Sequence, residues 1–255
     1  MGRIFCIANQ KGGVGKTTTA ISLADGFAKS SAKTLLIDFD PQCNATSGLR
    51  MQPLGSSPYV KTGENCPPLR DSVVPSGMHN LDVLPGSRNI AEVDVLLRSR
   101  PEEAEKILRQ IRETAGAYDF VLFDCPPSLG HLTQLALFAS AEVLIPMQCE
   151  YYAMEGLTHM GAMVKKVAAQ KPEDLAFAGI LLTMYDAGWE LTHEVDREVR
   201  NYFGENVFDI VIPRDAAVSE AQAHGMPVMD YSPRSRAARA YIELCMDILD
   251  RRTVI

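Results

Sequence analysis

The chain has 255 residues and a net charge of −7, with 46% hydrophobic and 22% charged residues. These values suit a globular protein with one large α/β domain or two small ones, and they exclude a disordered chain. The longest apolar runs have only the length of strands, so no membrane-spanning helix is expected. The apolar run that ends at Ala8 lacks the architecture of a signal peptide, which predicts a cytoplasmic protein.

The six cysteines form no C-x-x-C pair, so we expect neither a disulfide framework nor a zinc site, and buried or free thiols are the default. They are Cys6, Cys43, Cys66, Cys125, Cys149 and Cys245. The acidic net charge does not favour nucleic acid as a partner, although a local basic face remains compatible with it.

A glycine-rich stretch joins the first predicted strand, residues 3–8, to the first predicted helix, residues 16–29. A phosphate-binding loop requires this context. Glycines let backbone N–H groups turn inward around an anion, and the helix adds its N-terminal donors and dipole. We expect Lys16 to reach the terminal phosphates and the Thr17 hydroxyl to hold Mg²⁺. The predicted nucleotide-binding residues of the stretch are Lys11, Gly12, Gly13, Val14, Gly15, Lys16, Thr17 and Thr18.

The stretch departs from the common pattern G-x-x-x-x-G-K-[ST], because Gln10 replaces the first glycine and Lys11 lies five residues before Lys16. This deviant Walker A form, K-G-G-x-G-K-[ST], resembles the ParA/MinD branch of P-loop ATPases, and most closely the small chromosomal ParA (Soj-like) proteins. The resemblance covers nearly the whole chain except residues 50–80, and it implies that ATP is the nucleotide. It also implies that Lys11 crosses a two-fold interface to the partner's phosphates, so that ATP holds a homodimer together.

The second predicted strand, residues 34–38, leads into the motif D-F-D-P-Q at residues 38–42. A carboxylate at the C-terminal end of a parallel strand lies where α/β sheets bind their ligands. Resemblance to the family motif D-x-D-P-Q implies that Asp40 positions and activates the attacking water. The alternative is an aspartate that caps the turn before proline. The predicted catalytic residues are Lys11, Lys16 and Asp40.

Residues 50–80 are rich in proline and glycine, which break helices, and we expect a variable surface loop there. A strand is predicted at residues 81–85, within an N-L-D-V-L-P segment that is typical of the family. Residues 101–115 carry apolar side chains at helical spacing, which predicts an amphipathic helix.

The apolar strand predicted at residues 120–124 ends in Asp124, the Walker B arrangement in which a carboxylate reaches Mg²⁺ through water. The segment D-C-P-P-S that begins there resembles the switch II segment of the family. Cys125 raises the question of a metal cluster like that of the nitrogenase iron protein. Such a relative would carry a cluster cysteine where this chain has Leu132, so we do not expect a cluster. The predicted metal-binding residues are therefore Thr17 and Asp124, and the predicted cofactors are ATP and Mg²⁺.

The rest of the chain continues the alternation of strands and helices. Strands are predicted at residues 142–147 and 176–183, and helices at about 153–168, 190–203 and 234–250. This alternation predicts a doubly wound, mostly parallel sheet with helices on both faces, in a single domain over residues 1–255. By resemblance to the family's I-P-R-N stretch and the strand end before it, the adenine contacts are expected from Thr183, Met184, Pro213 and Asp215.

Small ParA dimers bind DNA without sequence preference through arginines and lysines, but Gly188 and Ala217 stand where relatives are expected to carry arginines. Each lost cation removes about one phosphate contact. The candidate DNA contacts that remain, with an ordinary solvated surface as the alternative, are Arg197, Arg200, Arg234, Arg236 and Arg239. Trp189 follows Gly188 directly. Its two alternative roles are stacking on a base and contact with a protein partner.

The resemblance thus implies a slow ATPase, stimulated by a ParB-like protein, that dimerises on ATP and segregates chromosomal or plasmid DNA at the nucleoid. One alternative is a related regulator that holds a protein cargo and binds DNA weakly or not at all. A metabolic P-loop ligase is a third class, which Lys11 and Asp40 disfavour. Membrane targeting of the MinD kind is not expected, because the tail at residues 241–255 balances acidic against basic side chains.

Overall fold

The computed structural model describes residues 2–59, 67–151, 153–171 and 173–251. Its strands are β1 (Arg3–Ile7), β2 (Thr34–Asp38), β3 (Val74–Pro75), β4 (Leu81–Leu84), β5 (Phe120–Asp124), β6 (Glu142–Gln148) and β7 (Ala176–Thr183). Its α-helices are α1 (Lys16–Lys29), α2 (Asn44–Ser47), α3 (Ala91–Ser99), α4 (Glu103–Ala115), α5 (His131–Ala139), α6 (Ala153–Ala168), α7 (Glu190–Phe203), α8 (Ala216–Ala223), α9 (Val228–Tyr231) and α10 (Arg236–Asp250). Short 3₁₀ turns occupy Leu69–Ser72, Arg88–Ile90 and Gly204–Asn206.

The strands form one sheet in the order β3-β4-β2-β5-β1-β6-β7, and every neighbouring pair is parallel except β3 with β4. Because β5 lies between β1 and β2, both Ile7 and Asp38 pair in register with Asp124. The carboxyl ends of these three strands therefore meet at one edge, where doubly wound sheets bind ligands. The predicted fold class is confirmed.

Apolar side chains cover both faces of the sheet. On one face Phe120 of β5 stacks on Phe27 of α1, with ring centroids 4.3 Å apart. On the other face Phe123 packs against Phe39, with centroids 5.0 Å apart. Strands that are buried on both faces read as continuous apolar runs, which is why the sequence located them well.

Several predicted elements have the observed bounds, namely α1, α6, α7, β2, β5 and β7. Five of the helices within the described residues were not predicted: α2, α3, α5, α8 and α9. Six of the nine residues of α5 are apolar, and its buried side chains include consecutive residues, so it shows no clear amphipathic period from which a helix could be recognised. The helices α8 and α9 have only eight and four residues, and such short segments give weak periodic signals.

The prediction of a surface loop at residues 50–80 was wrong for part of that segment. Tyr59 is only 5% exposed, and its ring meets Phe39 edge-on with centroids 5.1 Å apart. Leu69 is 2% exposed and belongs to the same apolar cluster. Proline and glycine exclude a long helix but do not prevent burial, and here the segment covers one face of the sheet. Residues 60–66, including Cys66, lie outside the described residues.

The five cysteines within the described residues are buried free thiols, which agrees with the default expectation. Cys6 of β1 and Cys125 after β5 lie with their sulfur atoms 3.5 Å apart in the protein interior. In the part of the chain that the structure describes, no helix combines the length and apolar character needed to cross a bilayer.

Candidate nucleotide-binding site

The glycine-rich loop is an open concave surface at the start of α1. Gly13 and Gly15 have φ angles of 73° and 86°, a left-handed conformation that favours glycine. A methyl group added at Gly12 or Gly13 would meet no atom within 4 Å, so the backbone there is accessible to a ligand. The other side of the loop is fastened to the sheet, because the Thr183 hydroxyl donates to the Val14 carbonyl at 2.9 Å. This geometry suits an anion bound by backbone N–H groups.

Lys16 is the first residue of α1 and is only 6% exposed. Its Nζ donates to the Lys11 carbonyl at 2.9 Å, which holds the side chain across the loop. Burial lowers the pKa of Lys16, and the nearby carboxylates of Asp124 and Asp40 oppose that shift. A buried ammonium with one hydrogen bond to a neutral carbonyl is well placed to gain from an anionic ligand.

Asp124 ends β5 and is fully buried. Neither of its carboxylate oxygens has a hydrogen-bond partner by geometry among the described residues. Burial and then the neighbouring Asp38 raise its pKa well above the usual range, and the Thr17 hydroxyl lowers it by a smaller amount. An orphaned buried carboxylate beside a hydroxyl is a donor set that fits Mg²⁺, and the metal pair Thr17 and Asp124 stays a prediction.

Asp38 is a site residue that the sequence analysis did not assign. Its Oδ2 accepts hydrogen bonds from the Thr46 backbone N–H at 2.8 Å and from the Thr46 hydroxyl at 2.6 Å, and its Oδ1 accepts from the Asp40 backbone N–H at 3.1 Å. Burial raises its pKa to about 6 in spite of these bonds. The signal that could have found it is its place as the last residue of a buried strand, level with Asp124.

Asp40 lies at the wall of the cavity above α1 and is 6% exposed. Its Oδ1 accepts a hydrogen bond from the backbone N–H of Gln42 at 2.8 Å, which is the turn-capping contact that the sequence left open. The capping contact uses one oxygen, so capping and a role toward the ligand are compatible.

A cavity of about 630 Å³ extends from the glycine loop to the segment before α8. Thr183, Met184, Pro213 and Asp215, which were predicted from the family pattern, line it together with the loop. Both carboxylate oxygens of Asp215 already accept hydrogen bonds within the protein. Oδ1 accepts from the Ala217 N–H at 3.0 Å, and Oδ2 accepts from the Ala237 N–H at 3.1 Å. Asp215 therefore caps α8 and ties it to α10.

One predicted ligand contact, Val14, is placed differently from the expectation, and one residue of the cavity wall, Gln222, was not predicted. Val14 is 1% exposed and does not line the cavity, so it has only its backbone N–H to offer. Gln222 of α8 was not predicted, but it lines the cavity and donates from Nε2 to the Thr18 hydroxyl at 2.8 Å. No family pattern in the sequence pointed to Gln222, because α8 itself was not recognised.

Known proteins resemble the chain along almost its full length. A family model described as an AAA domain matches residues 2–177. Over 254 residues the chain is 40% identical to the chromosome partitioning protein ParA of Myxococcus xanthus, covering 99% of this chain and 90% of that protein. It is 42% identical over 254 residues to the chromosome-partitioning ATPase Soj of Treponema pallidum, covering 98% of each. The chain belongs to the ParA/MinD family, on its Soj-like branch.

A solved relative supports the assignment of the cavity. The chain superposes with a TM-score of 0.85 on cobyrinic acid a,c-diamide synthase from Mycobacterium smegmatis, solved with bound ADP and magnesium, at 28% identity. The match covers 100% of this chain and 96% of that one. Nucleotide and magnesium binding by a protein of this fold agrees with the cradle of glycines and the orphaned Asp124.

Lys11, the lysine that marks this family, does not line the cavity of its own chain. Its ammonium forms an ion pair with the Glu150 carboxylate, which follows β6. The two side chains remain 39% and 43% exposed. Lys11 thus lies at the rim of the cavity and is accessible from outside.

The five candidate DNA-binding arginines differ in whether their guanidinium groups already have partners within the protein. Arg200 donates to Asp196 at 2.7 Å and to the Phe208 carbonyl at 3.1 Å, so its guanidinium already has partners within the chain, and its role as a DNA contact stays a prediction. Arg236 is exposed but donates to the Arg214 carbonyl at 3.1 Å. Of the five, Arg197, Arg234 and Arg239 are exposed and form neither an ion pair nor a side-chain hydrogen bond with the described residues.

The two positions that lack an expected arginine also differ. Gly188 is exposed next to Trp189, which is 62% exposed at the start of α7. Ala217, in the first turn of α8, is only 8% exposed and packs in the apolar core. A cation at Gly188 would face solvent, whereas a cation at Ala217 would have to displace core contacts.

Proposed function

We propose that this protein is an ATP-dependent dimerising ATPase of the ParA type that segregates or positions DNA and hydrolyses ATP to ADP and phosphate as a switch. The observation that carries the proposal is the position of Lys11, exposed at the rim of a nucleotide cavity that it does not line. A lysine placed there can reach a triphosphate held by a second copy. The homology to ParA and Soj proteins supports the same role.

Each group of residues in the site has a separate role in this proposal. The backbone of residues 12–15 and the Lys16 ammonium hold the phosphates, and Thr17 and Asp124 hold Mg²⁺. When bound, Mg²⁺ neutralises phosphate charge and makes hydrolysis of the terminal phosphate easier. Asp40 orients the attacking water from the cavity wall. Water is the nucleophile in this proposal, so these residues contribute positioning and charge.

ATP controls the assembly through charge. With ATP bound, the triphosphate of one subunit attracts Lys11 of the other, and loss of the terminal phosphate removes the contact that favours closure. A ParB-like protein accelerates this step, and the protein acts in the cytoplasm at the nucleoid.

Sedimentation of three variants tests the proposal. Asp40→Ala should bind ATP and form a stable dimer, because hydrolysis is blocked. Lys11→Ala should bind nucleotide as the wild type does but lose ATP-driven dimerisation, whereas Lys16→Ala should lose nucleotide binding itself. A monomeric Asp40→Ala protein at all concentrations with ATP, or an equal loss of nucleotide binding in the two lysine variants, would contradict the proposal.

A regulator of a protein cargo with little DNA binding is the second candidate. It is favoured by the internal pairing of Arg200 and by the absence of cations at Gly188 and Ala217. DNA binding by Asp40→Ala, compared between ATP and ADP across a salt titration, separates the two functions. ATP-dependent, salt-sensitive binding supports partition, and ATP-dependent dimerisation without DNA binding supports a protein cargo.

A further inference from the structure

The segment between Asp124 and α5, residues 125–130, contributes to the wall of the nucleotide cavity. Pro127 lines that cavity, and the preceding Asp124 carries the unpartnered carboxylate. The segment leads directly into α5 at His131, with Gly130 as the residue before the helix. Any movement of the first turn of α5 therefore shifts the backbone that faces the nucleotide.

The N-terminus of α5 has no capping side chain of its own. Gly130 at the N-cap position makes no side-chain hydrogen bond, and the first turn contains no acidic residue. The free N–H groups of a first turn require acceptors, and a carboxylate there is the most favourable one because of the helix dipole.

Asp94 of α3 supplies that carboxylate from a separate part of the chain. Its Oδ1 accepts a hydrogen bond from the Leu132 backbone N–H at 3.1 Å and lies 3.5 Å from His131 Nδ1. A methyl group at Gly130 would lie 3.1 Å from Oδ2, so the close approach relies on the small residue. Asp94 thus caps α5 across a sequence distance of 38 residues.

Both sides of this contact are rigidly supported. Val93 and Leu97 anchor α3 in the core, with exposures of 0% and 5%. At the start of α5, the Thr133 hydroxyl donates to the Ser128 carbonyl at 2.7 Å, so the segment is folded back on the helix that Asp94 caps. A contact between two fixed elements can set the position of the loop between them.

We propose that Asp94 is a positioning residue that holds residues 125–130 in the arrangement required for ATP hydrolysis. The proposal rests on the ATPase function proposed above. Asp94 touches neither nucleotide nor metal, and acts through the backbone of α5 and the segment before it. In this way α3, which lies outside the nucleotide motifs of the sequence, controls the loop that follows the metal-binding aspartate.

Three substitutions test the role. Asp94→Ala removes the cap, Asp94→Asn keeps an acceptor oxygen for Leu132 N–H but removes the charge, and Glu92→Ala removes an exposed acid from the same helix as a matched control. Two quantities are measured for each full-length protein: kcat and KM for ATP, and backbone hydrogen exchange of residues 125–139 relative to β1 and α1.

We expect Asp94→Ala to lower kcat about fivefold to tenfold, the size of one lost cap converted to a rate, while KM changes less than about twofold. Exchange should become faster in residues 125–139 and stay unchanged in β1 and α1. Asp94→Asn should recover most of kcat, and Glu92→Ala should match the wild type.

Faster exchange without a loss of kcat would overturn the proposal, because the contact would then be structural only. An equal loss of kcat in Glu92→Ala, or faster exchange spread over β1 and α1, would overturn it as well. A wild-type protein that binds ATP but does not hydrolyse it would instead refute the proposed function, and the exchange comparison would still decide whether Asp94 holds the segment.

Discussion

The Lys11 ammonium is paired with the Glu150 carboxylate of its own chain, and both side chains are about two-fifths exposed. Exposed ion pairs of this kind contribute about 0–1 kcal/mol, so the pair is easily exchanged for a stronger partner. A bound triphosphate carries several negative charges and is such a partner. In the proposed dimer, Glu150 would therefore compete with the phosphates of the second subunit for Lys11.

Removing this competitor should favour the dimer. We expect Glu150→Gln to lower the protein concentration at which ATP drives half-maximal dimerisation by about twofold to fivefold, the equivalent of an exposed ion pair. Sedimentation in the Asp40→Ala background measures the effect without hydrolysis. Glu155→Gln, at an exposed position in the first turn of α6, is the matched control and should change nothing. An equal response of both variants would point to a general charge effect.

Asp124 should destabilise the ligand-free protein. Because its folded-state pKa is raised, its favourable contribution is fully present below the pKa of the unfolded carboxyl and is lost as pH rises through the folded-state pKa. At pH 7.5 we expect Asp124→Asn to raise Tm without ligand by about 2–4 °C, which is about 1 kcal/mol for a chain of this size. The same variant should lose the extra stabilisation that Mg²⁺ adds to ADP.

Thermal unfolding with and without Mg²⁺ checks both effects. Asp250→Asn, at an exposed position of α10, serves as the control and should keep the Mg²⁺ response. A lower Tm for Asp124→Asn in the absence of ligand would show that the carboxylate has a partner that stabilises its charge.

The hydroxyl of Thr46 should stabilise the protein in a pH-dependent way. It donates to Asp38 Oδ2 at 2.6 Å and accepts from Gly86 N–H at 2.8 Å. The raised pKa of Asp38, about 6, means that its carboxyl is charged in the folded protein at pH 8 and mostly protonated at pH 5. Loss of a hydrogen bond to a charged group costs about 1.5–3 kcal/mol.

We therefore expect Thr46→Val to lower the free energy of unfolding more at pH 8 than at pH 5, measured by urea denaturation. The loss of stability that does not depend on pH arises because the Gly86 N–H loses its hydrogen-bond acceptor at both pH 5 and pH 8. Thr46→Ser keeps the hydroxyl and should behave like the wild type at both pH values. An equal loss at pH 5 and pH 8 would mean that the charge of Asp38 plays no part.

Arg200 and Arg234 should have separable roles. Arg200 is held by Asp196 and the Phe208 carbonyl, whereas Arg234 is exposed with no ion pair within the described residues. In the Asp40→Ala background with ATP, we expect Arg234→Gln to weaken DNA binding and to reduce the salt slope by about one. Arg200→Gln should lower Tm and leave the salt slope unchanged. The opposite pattern would show that Arg200 leaves its internal partners to contact DNA.

The nucleotide site was predictable where it depends on local sequence. The glycine loop, Lys16 and Asp124 each follow from a strand-to-helix or strand-end context that is complete within about ten residues. Asp38 was missed although the rule that selected Asp124 also applies to it, because the family pattern directed attention to Asp40. The helix α5 gave no clear amphipathic pattern, because most of its residues are apolar. Asp94 could not be recognised as its cap, because in the sequence it is an ordinary acidic residue on a short helix.

The sequence by itself determined the fold class, the phosphate loop and the family, because buried parallel strands and a glycine loop leave patterns in neighbouring residues. Only the tertiary structure decided which partner each charged side chain takes. Lys11 meets Glu150, Arg200 meets Asp196, and Asp94 meets α5, and two of these three pairs join residues far apart in the chain. The energy of such contacts depends on distance and burial, and both are properties of the folded chain.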